Sequence, residues 1–108
     1  MVIMAKYLIN RSYQIANDEF IDIVVIAVPK SKQFPTGIKY GINYRVFTGN
    51  EWIELIRYDN AHGIGEHCHL FGEIKPVRYM PPEEIISEMI QIINDRRNEI
   101  NEIKSQRS

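Results

Sequence analysis

The chain has 108 residues, 44% of them hydrophobic and 25% charged, with a formal net charge of −1. Such a composition fits a folded domain with a modest core and excludes a disordered chain or a uniformly basic nucleic-acid binder. One cysteine leaves no internal disulfide to form, no apolar run is long enough for a membrane span and no secretory leader is legible, so the reading is a single cytoplasmic domain over residues 1–108.

Residues from about 5 to 58 read as sheet. Tyr7 and Ile9 alternate with Leu8 and Asn10, and FIDIVVIAV from Phe20 to Val28 is a β-branched run bounded by turn residues. Asn17-Asp18 is placed to join the two as a hairpin. The connection PKSKQFPTGIK then carries Lys30, Lys32, Lys39 and Phe34; it reads as a solvated loop, with a phosphate grip as the functional alternative. In KYGINYRVF, from Lys39 to Phe47, Tyr40, Ile42, Tyr44 and Val46 share one face while Lys39, Asn43 and Arg45 share the other. Thr48-Gly49-Asn50 supplies a turn and WIELIRY, from Trp52 to Tyr58, returns. Tyr40, Tyr44 and Trp52 are expected in the core.

Residues 59–82 form a loop rich in Gly, His and Pro, with a short extended piece expected near Cys68–Phe71 or Val77–Tyr79. Pro81-Pro82-Glu83-Glu84 signals a helix start, because proline suits the first turn and acids suit the positive end of the dipole. One amphipathic helix is predicted over about 83–104, with a stripe at Ile86, Met89, Ile90, Ile93, Ile100 and Ile103 that Ile85 and Ile92 widen. Its last two turns are sparse in apolar residues and are expected to overhang the sheet, where a homodimer contact can form. The expected fold class is α+β: an antiparallel meander of about four or more strands with a long C-terminal helix packed on one face.

All three histidines and the only cysteine fall between His62 and His69. Three chemistries fit. A zinc site can draw on His67 and His69, whose i, i+2 spacing puts both rings on one side of an extended segment, with His62 or Asp59 as the third ligand. Acid–base catalysis suits a pair of imidazoles, with Asp59 as orienter and Arg57, Lys75 or Arg78 to stabilise developing charge. A structural loop built on Asp59, Asn60 and the glycines is the third. Cys68 would face away from its neighbours, which argues against a cysteine nucleophile. Arg45 and Arg57, on the two strands of the second hairpin, are expected to form a cationic platform or to pair with Glu51 or Glu54.

The run YDNAHG, followed by the HxH of His67 and His69, after a strand and before an apolar helix, resembles the TumE-like toxins of prokaryotic toxin–antitoxin pairs. The preceding hairpin GINYRVFTGNEWIELIRYDN agrees with that order. The resemblance covers about Lys39 to Arg97; the N-terminal strands match in kind only. Glu66 stands where the family often has a first histidine of HHxH. The resemblance implies a toxin silenced by an antitoxin, commonly a helix-turn-helix DNA-binding protein. Together with the histidines it points to a metal-independent ribonuclease. His67 and His69 would be the acid–base pair, with Asp59 as orienter and His62 as a further catalytic candidate. Asn60, Arg57, Lys75 and Arg45 would contact the RNA substrate. The alternative is a non-catalytic nucleic-acid- or protein-binding module whose His-rich loop is structural or zinc-binding.

Overall fold

The computed structural model describes residues 5–60 and 65–106. Six antiparallel strands follow one another in space as they do in sequence: β1 (Lys6–Ala16), β2 (Glu19–Ala27), β3 (Ile38–Phe47), β4 (Trp52–Asp59), β5 (His67–Leu70) and β6 (Glu73–Pro76). Two helices close the chain, α1 (Pro82–Asp95) and α2 (Arg97–Ser105). The class is α+β, and the sheet is wider than the four strands that could be assigned individually, because residues of the His-rich loop add a hairpin.

That extra hairpin has a local cause. Leu70 and Glu73 face each other, so Phe71-Gly72 is a two-residue turn, and both take positive φ (49° and 90°). Primed turns of this kind match the twist of the strands they join. Phe71 pays for an unusual backbone with contacts: its N–H donates to the Leu55 carbonyl at 2.8 Å, and Arg96 stacks on its ring at 4.4 Å. Leu55 is the extra residue of a bulge in β4 opposite Tyr44 and Arg45, which frees that carbonyl.

One sheet face carries the core. Ile21, Ile23, Val25, Tyr40, Ile42, Tyr44, Val46, Ile56, Tyr58 and Cys68 are buried there against Ile85, Met89, Ile93 and Ile100 of the helices. The alternation in β2 and β3 therefore holds residue by residue. The helical stripe holds, with Ile85, Met89, Ile93 and Ile100 buried, except that Ile90 is exposed and lines a groove with Tyr13 and Ile15 of β1. Steps of four keep Ile85, Met89 and Ile93 in one row.

The single long helix of the sequence reading is two helices. The chain leaves helical geometry at Arg96 (φ −109°, ψ 23°), just after Asn94-Asp95, whose short polar side chains compete with helical bonding. The last turns lie against the sheet. Ile100 is fully buried, and Arg97 and Lys104 donate to the buried Glu19 carboxylate at 2.7 and 2.6 Å. The helix end is thus engaged within the chain and does not overhang, which removes the ground on which a helix-mediated homodimer rested.

Trp52 also departs from expectation. It is 44% exposed, on the face opposite the helices. Its ring meets Phe47 and Phe20, and the Arg45 guanidinium lies over it at 4.4 Å. Register explains the placement: Trp52 opposes Phe47, and the bulge at Leu55 turns the first residues of β4 out of phase with the last.

Candidate functional site

Two short tripeptides build the site. RYD ends β4 and HCH begins β5, and antiparallel pairing sets Arg57 opposite His69 and Asp59 opposite His67. Directly opposed residues project to the same face with Cβ atoms about 5 Å apart. Tyr58 and Cys68, between them, project into the core. The result is a square of four functional side chains on the helix-free face.

Asp59 is the deep corner, 1% exposed. Its Oδ2 accepts from Arg57 Nε at 2.7 Å, and its Oδ1 lies 3.0 Å from His67 Nε2. His67 is equally enclosed, with Nδ1 2.9 Å from the Gly65 carbonyl oxygen. A carbonyl can only accept, so Nδ1 carries a hydrogen and Nε2 is the atom turned toward the carboxylate. His69 is half-buried, its ring edge-on to that of His67 with centroids 5.1 Å apart. Burial works against the Arg57 cation, but its bonds to Asp59 and Glu54 outweigh this and hold the guanidinium charged.

A depression of about 220 Å³ opens beside the square. Gly41 opposes Asp59 and Asn43 opposes Arg57, and the missing side chain at Gly41 leaves the space. A Cβ at Gly41 would lie 3.7 Å from an Arg57 nitrogen, so a larger side chain would fill the hollow. Lys39 stands in its lining. Asn43 was legible only as the polar face of a strand and Lys39 also as part of a basic connection; their place beside Asp59 and Arg57 follows from register between strands.

Asp59, His67, His69 and Arg57 therefore converge. Asn60 does not join them: its Oδ1 accepts the Tyr40 N–H at 3.0 Å and its Nδ2 donates to the Ile38 carbonyl at 2.8 Å. It continues the β3 ladder past the end of β4 and is buried. Lys75 opposes Cys68 and so belongs to the other face of the sheet. Arg45 sits at the far end of the helix-free face, paired with Asp22 at 2.7 Å rather than with Glu51 or Glu54. Arg78 pairs with Glu84 at 2.6 Å. His62 lies outside the described residues. Cys68 is buried, and burial pushes its thiol above the ordinary range, against a partial lowering by Tyr58 and Lys75. A nucleophilic thiolate is not what this position favours.

Three of the converging groups, Asp59, His67 and His69, offer potential metal-ligand atoms that all lie within 4.8 Å of one another.

A family model described as Toxin TumE matches residues 5–103. The chain belongs to the TumE toxin family. The match takes in β1 and β2 as well as the His-rich region, and so reaches beyond the Lys39–Arg97 stretch that carried the resemblance. Membership makes the chain a toxin of a toxin–antitoxin system and implies an antitoxin partner. No curated protein and no solved structure matches it. Among the described residues no helix is long and apolar enough to cross a membrane.

Proposed function

We propose that this TumE-family toxin is a ribonuclease that cleaves RNA without a metal, with His69 as the imidazole that meets the substrate. The observation that carries the reading is the square itself, in which the half-buried His69 lies across from Arg57 and beside the enclosed Asp59 and His67. Cleavage through the 2′-hydroxyl needs a base for its proton, a donor for the leaving oxygen and a cation for the phosphorane. His69 supplies the base. Arg57, whose side chain is 40% exposed, supplies the cation. The depression lined by Lys39 and Asn43 gives the phosphate backbone a place beside both.

His67 has a different part from the one expected of it. Its side chain, 3% exposed and 3.0 Å from Asp59, supports a positioning part: it orients the strand that carries His69 and holds the Asp59 carboxylate. From the sequence, the donor's part belongs to the second member of the His67/His69 pair, and His62 is only a further catalytic candidate, which lies outside the described residues. The antitoxin remains the expected helix-turn-helix protein.

The test is RNA cleavage by the purified chain in EDTA, beside His69→Ala. The expected result is EDTA-resistant cleavage that falls about 10²–10⁴-fold in the variant. Intact RNA after incubation with folded protein, or equal cleavage by the variant, refutes the reading. EDTA-sensitive cleavage refutes its metal-free part. A non-catalytic binding role has its own support: Trp52 is exposed on the same face with Arg45 over its ring, the arrangement on which a base can stack. RNA retention without cleavage would favour it.

A further inference from the structure

The contact between Asp59 and His67 has a property that metal-free chemistry does not use. The His67 ring is fixed by Nδ1–H donated to the Gly65 carbonyl at 2.9 Å. That bond leaves Nε2 facing Asp59 Oδ1 at 3.0 Å, one acceptor toward another unless something positive lies between them. A hydrogen on Nε2 is one solution. A metal cation is the other, and ring nitrogens that bind metals characteristically have their second N–H donated to a carbonyl or carboxylate, as here.

We propose that this site binds one Zn²⁺ through His67 Nε2, Asp59 Oδ1 and the His69 imidazole, and that the bound ion silences the toxin rather than driving it. Zinc takes nitrogen and oxygen ligands at about 2.0–2.2 Å, which sets tetrahedral donors about 3.4 Å apart. Asp59 and His67 already stand near that separation, at 3.0 Å. All three donor atoms lie within 4.8 Å of one another, and His69 is the half-buried member that the ion would draw in. Two imidazoles and one carboxylate select a transition ion over Mg²⁺ or Ca²⁺, which prefer oxygen alone. Arg57 Nε donates to Oδ2 of Asp59, and its second partner Glu54, at 3.1 Å, helps to hold the guanidinium in that position. Cys68 is directed into the core and takes no part.

Binding stands on this geometry alone. The silencing rests on His69 being the substrate-facing base, because a lone pair given to zinc cannot accept a proton. Of the two third donors that the sequence offers, His62 and Asp59, this site uses Asp59.

The experiment is calorimetric titration of the metal-stripped full chain with ZnCl₂, with Co²⁺ spectra alongside. Uptake of one ion per chain is expected, together with a zinc-dependent rise in melting temperature. In His69→Ala, checked for native circular dichroism, the affinity should fall at least about tenfold. Co²⁺ should give visible d–d bands and no near-ultraviolet thiolate band. A folded chain that takes up no ion, an unchanged affinity in the variant, or a thiolate band that puts Cys68 in the site overturns the binding. Undiminished RNA cleavage at saturating Zn²⁺ overturns the silencing. The uptake measurement needs no cleavage, so an absent ribonuclease and an absent zinc site are separate results.

Discussion

Glu19→Gln removes the anchor that ties the end of the chain to the sheet. Glu19 begins β2, is 1% exposed, and accepts hydrogen bonds from Tyr44, Arg97 and Lys104. Burial by itself raises the carboxyl's pKa. The bonds from Arg97, Lys104 and Tyr44 outweigh it and bring the value from the ordinary 4.5 down to about 2. That difference corresponds to about 3 kcal/mol of stability. The sign is set by the lowered value: the contribution is complete above about pH 5 and is lost as pH falls toward 2. Glutamine keeps the shape but turns an amide N–H or a weaker acceptor toward two cations. Urea unfolding followed by circular dichroism, from pH 7 to pH 2, measures the effect. The variant should be about 3 kcal/mol less stable at pH 7, with the two curves converging at the acid end. Equal stability at pH 7, or a gap that ignores pH, refutes the reasoning.

Three further outcomes are expected. Asn60→Ala removes both bonds that extend the β3 ladder and leaves the Tyr40 N–H and Ile38 carbonyl unpaired, at about 1–3 kcal/mol in urea unfolding; a loss near zero would show that Asn60 does not hold the end of β4. Met89→Ala opens a cavity under the fully buried centre of α1, and the melt should show about 2–5 kcal/mol of destabilisation. Trp52→Ala should cost only about 1–2 kcal/mol, the scale of its aromatic contacts, and the single tryptophan should be readily quenched by acrylamide in the native state; a protected fluorophore would contradict its exposure.

The sequence by itself determined the elements whose signal is local. Period-two alternation from Lys39 to Phe47 chose the buried face of β3, because successive side chains of a strand must part to opposite sides. Asn17-Asp18 fixed the first hairpin, and Pro81-Pro82-Glu83-Glu84 fixed the start of α1. The histidine cluster, with YDNAHG before it, carried the family resemblance, which the family match bears out.

Only the tertiary structure decided what depends on register and on long-range partners. RYD and HCH are eight residues or more apart in their facing members, and nothing in either tripeptide says that Asp59 lies opposite His67 and Arg57 opposite His69. A slip of β5 by one residue would turn His67 and His69 to the other face, away from Asp59 and Arg57. The Phe71-Gly72 turn carries no customary turn pair at its first position, so β5 and β6 were not separable from a loop. Trp52 looked like core because large aromatics bury most area, yet a bulge at Leu55 put it on the helix-free face. Glu19 gave no signal at all. Its partners Arg97 and Lys104 are 78 and 85 positions away, and a charge that distant declares itself only when the fold brings its neutralising groups to it.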